Sequence, residues 1–178
     1  MGPVPAVLEC HRSGTPMQER VQHALERLQA ACLREYGDRL VSLVVFGSVA
    51  RGTAGPESDI DLLIVADPLP DGRVARVRAF AGVERDLESD LAAARRDGWV
   101  VNLSPVFKTP AEVGAGSLLF LDMIEDAIFL HDRGGFMRGS LDGFRQRLTG
   151  LGARRVWRGN AWFWDLKPDY KPGEVFEI

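Results

Sequence analysis

Two aspartates, Asp59 and Asp61, stand one residue apart in the stretch VVFGSVARGTAGPESDIDLLIV, residues 44–65. Asp is among the residues most depleted from strands, and a buried carboxylate without a positive partner is strongly disfavoured. Alternation along a strand puts both on one face, with Ile60 and Leu62 on the other, and their Cα atoms about 6.6 Å apart. Like charges so placed repel, and the arrangement becomes favourable when a divalent cation sits between them. Hard cations such as Mg²⁺ take oxygen ligands, commonly one or two carboxylates plus substrate phosphates. A pair of such ions clamps the attacking and leaving oxygens of an in-line phosphoryl displacement.

Upstream, Gly47 and Ser48 close an apolar run. A glycine at a strand end lets backbone approach a ligand closely, and a turn opening a helix presents free N–H groups to phosphate oxygens. Ser48 adds a hydroxyl, and Arg51 a planar fork suited to phosphate. Ser58, beside the paired acids, is placed for a supporting hydrogen bond. Phosphate cradle and metal carboxylates on adjacent strands fit a nucleoside triphosphate bound with Mg²⁺ or Mn²⁺. No Lys follows the glycines, which excludes a Walker-type phosphate loop.

The elements that must hold these residues follow from pattern. TPMQERVQHALERLQAACLREYG reads as a helix, with Thr15 as cap, Pro16 at the first position and Gly37 as stop. Its inward residues are Met17, Val21, Ala24, Leu25, Leu28 and Cys32. RLVSLVVF and SDIDLLIVA read as strands joined by a turn or short helix. A second helix is expected over 73–96, ended by Gly98, with Val74, Val77, Phe80, Ala81, Leu87, Leu91 and Ala94 inward. A third strand, WVVNLSPVF, follows, and Thr109-Pro110 restarts helix. SLLFLDMIEDAIFL is expected to be a short buried helix and FMRGSLDGFRQRLTGLG another, while WFWDLKPDYKPGEVFEI reads as irregular. The fold class is α+β, an α/β sandwich with a small mixed sheet and flanking helices. Residues 1–14 form an irregular lead, 15–135 the main domain, and 136–178 a C-terminal helix and aromatic tail packed on that domain.

Composition agrees with one soluble globular domain: 178 residues, 46% hydrophobic and 26% charged. The net charge of −3 excludes a chain that attracts nucleic acid as a whole. Residues 136–178 nevertheless carry eight Lys and Arg against five Asp and Glu. There Trp157, Trp162, Phe163 and Trp164 lie near Arg154, Arg155 and Arg158, a mixture that can stack RNA bases or meet a protein partner. The plainer expectation is that the rings fold back onto the sheet or a helix. Two cysteines form no metal or disulfide framework, and the histidines, including His131-Asp132, have no ligand spacing. No signal peptide or membrane span is read, so the expected location is cytoplasmic.

Gly47-Ser48, ten residues, then Asp59-Ile60-Asp61-Leu62 resembles the signature of the nucleotidyltransferase superfamily, which includes DNA polymerase beta, and GSVARGTAGPESDIDL is similar to its minimal prokaryotic branch. The resemblance implies the nucleotidyltransferase fold, with Asp59 and Asp61 as catalytic metal ligands. It further implies that Gly47, Ser48, Arg51 and Ser58 hold the nucleotide. The implied reaction moves a nucleoside monophosphate from an NTP to a hydroxyl of an unidentified acceptor, releasing pyrophosphate. Active members usually carry a third carboxylate on the strand after the second helix, where this chain offers only Asn102 and Ser104. Asn102 is the candidate substitute, and Glu112 lies just beyond that strand. One alternative is an NTP-binding regulatory module of the toxin–antitoxin type with a small helical protein partner and weak turnover. Another is RNA-end binding through the aromatic C-terminus.

Overall fold

A computed structural model describes residues 16–55, 57–96, 102–159 and 161–178. The chain opens with helix α1 (Pro16–Tyr36), strand β1 (Leu40–Phe46), the short helix α2 (Gly47–Ala50) and strand β2 (Ile60–Ala66). Helix α3 (Arg73–Arg96), strand β3 (Leu103–Lys108), helix α4 (Pro110–Gly114) and a 3₁₀ helix (Leu118–Asp122) follow. Strand β4 (Ile128–Asp132), helix α5 (Phe136–Gly150) and strands β5 (Arg154–Arg158) and β6 (Ala161–Asp165) complete it. The main sheet has the order β3-β2-β1-β4, antiparallel except for the parallel β2–β3 pair. This is the mixed sheet with flanking helices that the pattern predicts.

β1 and β2 are apolar at nearly every position because both faces of the sheet are covered. On one face Leu43, Val45, Leu62 and Ile64 meet Leu25, Leu28 and Cys32 of α1 and Phe80, Val83 and Leu87 of α3. The expected stripe on α1 is therefore largely present, and Gly37 takes the left-handed conformation (φ 53°) that ends the helix. On the other face Val44, Leu63 and Val65 meet Phe120, Met123 and Ile124, together with Met137, Leu141, Phe144 and Leu148 of α5. Truncating a fully buried member such as Leu62 to Ala would cost about 2–5 kcal/mol. Expectations for residues 1–15, the Met17 side chain, Gly98 and residues 99–101 lie outside the described residues.

Four local expectations are corrected. SLLFLDMIEDAIFL is not one helix: the 3₁₀ helix ends at Asp122, and Ile128–Asp132 pairs antiparallel with β1. An apolar run of this length fits strand or buried helix equally, and the edge of β1 supplies the backbone partners that decide. Second, the tail is regular at its start, because β5 and β6 form a hairpin with Trp157 opposite Trp162 and Arg155 opposite Trp164. The Arg155 guanidinium lies 5.3 Å from the Trp157 ring and 5.1 Å from Trp162. Trp164 packs against the second core cluster, whereas Trp157 stays 57% exposed. Arg155 also meets Glu125 and Asp126, and Arg154 meets Asp165, so two of the three arginines offered to RNA are paired. Third, α3 buries Phe80, Val83 and Leu87, while Val74 and Val77 are exposed. In its first turn Arg76 points inward instead and bonds the Pro70 and Phe107 carbonyls.

The fourth correction concerns β2, which begins at Ile60 rather than Ser58. β1 pairs only as far as Phe46 opposite Asp61 before turning away at Gly47, leaving Asp59 in the last loop residue. His131-Asp132 proves architectural. The Asp132 carboxylate accepts from the Ser42 hydroxyl (2.7 Å) and from the Met137 and Arg138 amides (2.8 and 3.1 Å), capping the start of α5. Among the described residues no helix is long and apolar enough to cross a membrane.

Candidate active site

Gly47 takes φ 73° immediately after β1, a conformation that L side chains rarely adopt. Space adds a second reason for glycine. A Cβ built on Gly47 would overlap Asp61 Oδ2 and lie 3.1 Å from its Cγ. The Asp61 carboxylate thus rests against the bare Cα of the glycine that follows Phe46, its partner in the β1–β2 ladder. The turn is closed by the Arg51 amide donating to the Gly47 carbonyl (3.1 Å) and the Thr53 amide donating to the Ser48 carbonyl (3.0 Å). Arg51 follows directly, close enough for its charge to act on Asp61.

Asp61, half-buried, titrates above the usual carboxylate range. Burial is the main cause, the charges of Asp59 and Asp122 add to it, and the Ser104 hydroxyl and Arg51 oppose it. Among the described residues neither Asp59 nor Asp61 forms an ion pair of the ordinary salt-bridge length. Opposed carboxylates, one of them partly desolvated and neither directly paired, form a donor set suited to a hard divalent cation. Among the described residues no group of three or more His, Cys, Asp or Glu could ligate one ion together.

Ser104 of β3 and Asn102, the residue just before the strand, come to the same corner. Ser104 stands opposite Asp61 in the parallel ladder. The Asn102 side-chain amide donates to Asp59 Oδ1 at 3.1 Å, and the Asn102 carbonyl accepts from the Ile60 amide at 2.8 Å. Asn102 therefore steadies Asp59 in its loop. Ser58 accepts from the Gly55 amide (2.9 Å) and so organises the loop before Asp59. Glu112 is far from this corner. It caps α4 with Thr109 and takes Arg76 through both oxygens, at 2.7 and 3.0 Å. These bonds, Arg76 first, lower its pKa to about 2. It lies beyond the other end of β3, about 13 Å along the strand from Ser104 to Lys108 alone.

One residue went unnoticed in the sequence. Asp122, at the end of the 3₁₀ helix, is near enough for its charge to bear on Asp61. Its only signal was an acid set between Leu121 and Met123 in an apolar run.

A model of the nucleotidyltransferase domain matches residues 25–110, which include every expected site residue but not Asp122. The putative protein adenylyltransferase MJ1305 of Methanocaldococcus jannaschii is 32% identical over 127 residues, 70% of this chain and 81% of that protein. The bifunctional uridylyltransferase/uridylyl-removing enzyme of Burkholderia vietnamiensis is 31% identical over 99 residues, 51% of this chain but 11% of that protein. Among solved structures, a toxin–antitoxin complex with AMP-PNP aligns with TM-score 0.44 and 18% identity, covering 71% of this chain and 92% of that one. The MntA–HepT toxin–antitoxin aligns at 0.41 and 16%, covering 74% and 93%. Similarity over 81% of MJ1305, together with the domain match over residues 25–110 that contains Gly47, Ser48, Asp59 and Asp61, shows that this chain belongs to the nucleotidyltransferase family and is a transferase.

Proposed function

We propose that the chain transfers AMP from ATP to a hydroxyl group of a protein, using Mg²⁺ or Mn²⁺. The fit of Gly47 against Asp61 carries the metal-dependent part of this reading. A side chain there would displace the carboxylate, so the glycine serves the position of the acid as well as the turn. The adenylyl and protein parts rest on the named activity of the archaeal relative.

Asp59 and Asp61 would hold the cation, which when bound neutralises phosphate charge and favours attack at the α-phosphorus. The chain's own residues position the reactants. The Gly47-Ser48 turn receives the triphosphate, and Arg51 balances the charge that builds on pyrophosphate as it leaves. Asn102 holds Asp59 in its loop, and the Ser104 hydroxyl helps keep Asp61 ionised. The acceptor hydroxyl releases its proton to water as its oxygen bonds to the α-phosphorus, the bond from that phosphorus to the β-bridging oxygen breaks, and pyrophosphate departs. The acceptor to try first is the small helical partner implied by the resemblance.

The test incubates the chain with each α-labelled NTP, Mg²⁺ or Mn²⁺, and cell extract. ATP should label a protein band, and Asp59→Ala should abolish the label, a loss of at least about 10³-fold. Label from UTP instead would shift the reading towards the bacterial relative. Absence of calorimetric binding for all four NTPs in the presence of metal would end it.

A further inference from the structure

The main sheet ends at β3 and β4, and the hairpin at β5 and β6. An unpaired strand edge is a template for another chain, and proline, charge or a covering side chain blunts it. Pro105 removes a donor from β3, and Arg76 takes the Phe107 carbonyl there. The Gln29 side-chain amide donates to the Leu130 carbonyl of β4. β5, RRVWR, has three arginines in five residues. β6, AWFWD, has no such device, and its one charge is Asp165 at the end.

Register decides which groups β6 offers. Two residues separate Arg158 from Ala161, its partner in the ladder, so this closing pair is hydrogen-bonded and the pairs alternate from there. Val156 and Phe163 therefore bond to each other, while the backbone N–H and C=O groups of Trp162 and Trp164 point outward. Among the described residues none of these outward groups has a hydrogen-bond partner. Phe163, on the sheet face away from Trp164, is 44% exposed. The Arg158 guanidinium lies 5.7 Å from its ring and, among the described residues, forms no ion pair.

We propose that β6 pairs antiparallel with β6 of a second copy of this chain, about a twofold axis at Phe163, joining the two hairpins into one sheet. Trp162 of each copy then faces Trp164 of the other in hydrogen-bonded pairs, which satisfies the outward groups of both strands. The two Phe163 side chains meet in the closer, non-hydrogen-bonded pair. The outward groups lie symmetrically on either side of Phe163, so the strand complements its own reversed copy, as an isologous contact requires. Charge agrees. Asp165 of one copy comes opposite Ala161 of the other, on the same sheet face as that copy's Arg158 and about 10 Å from it between Cα atoms. Pairing through β5 instead would set Arg154 directly against Arg158, a like-charge contact that disfavours it.

Sedimentation velocity on the full chain, without metal or nucleotide, tests the pairing. Wild type should move from 19.6 kDa towards twice that mass as concentration rises. Phe163→Lys and Phe163→Glu each set like charges against one another at the axis, and each should weaken association at least about tenfold. A mixture of the two variants should recover the dimer, which also shows that both are folded. Val77→Lys, at an exposed apolar residue of α3, should associate like wild type. In the wild-type dimer the Trp162 and Trp164 amides should exchange hydrogen at least about tenfold more slowly than in the monomer. A wild-type chain that stays monomeric overturns the proposal, as does a dimer indifferent to Phe163→Lys or equally weakened by Val77→Lys. A mixture of folded variants that fails to recover the dimer overturns the twofold register. Unchanged exchange at Trp162 and Trp164 overturns it whatever the variants do.

Discussion

The two ends of the β2–β3 pair handle acidic side chains in opposite ways. Beyond Lys108, Glu112 is answered completely: two hydrogen bonds from Arg76, one from the Thr109 amide, and a helix to cap. At the Asp61 end, among the described residues, no guanidinium comes within salt-bridge distance of either aspartate, and the Asn102 amide, the Ser104 hydroxyl and the nearby Arg51 charge are what offset them. One end is a joint, closed by charge pairing. The other retains an excess of negative charge that folding does not relieve, and such an excess persists in folded proteins mainly where a ligand uses it. The same residue type therefore marks structure at one end and chemistry at the other, and the difference lies in the counter-charge.

Three substitutions and one control sharpen this contrast, beginning with the largest effect. Gly47→Ala should lower transferase activity about 100-fold and destabilise by about 1–3 kcal/mol, because it combines a disfavoured φ with a collision at Asp61. Gly55→Ala, where a Cβ meets nothing within 4 Å, is the control and should stay near wild type in a label-transfer assay. If both behave alike, the close approach is not functional. Next, Glu112→Gln should cost about 1 kcal/mol in chemical denaturation, a value held down by the 43% exposure of the carboxylate, and should spare turnover. Its folded pKa is depressed to about 2 from 4.5, so its stabilisation is present above pH 4.5 and fades as pH falls towards 2. The mutant and wild-type melting curves should accordingly converge as pH falls to about 2.

The smallest effect has the opposite sign. Asp61 has a raised folded pKa, so its ionised form disfavours the fold, and its adverse contribution grows as pH rises through that pKa. Asp61→Asn in metal-free protein should raise the melting temperature by about 1–3 °C at neutral pH while removing activity. A lower melting temperature, measured calorimetrically, would show that Asp61 is a structural acid like Glu112.

Much of this corner was legible beforehand because it is local. Gly47, Ser48 and the paired acids fall within fifteen residues, and their chemistry follows from type and spacing. Helix α3 was legible in extent, since charge and apolar period agree over 24 residues. Its burial was not, because whether Val77 or Val83 is covered depends on what lies opposite. The local pattern points to helix where strand β4 forms for the same reason: its partners in β1 lie 83 to 90 residues away. The hairpin lies outside the local pattern because its order comes from pairing across the strands, where Trp157 faces Trp162 and the Arg155 guanidinium lies near both rings.

What the chain's order of residues determined is the chemistry on offer: two carboxylates, a glycine–serine turn, and a third strand without an acid. What tertiary structure alone decided is which acids stay uncompensated. It sent Glu112 to Arg76, Asp132 to the start of α5 and Glu125 to Arg155, and among the described residues it left Asp59 and Asp61 without a salt bridge. Electrostatic energy depends on separation in space, and distances between residues sixty positions apart are set only when the sheet and its covering helices close.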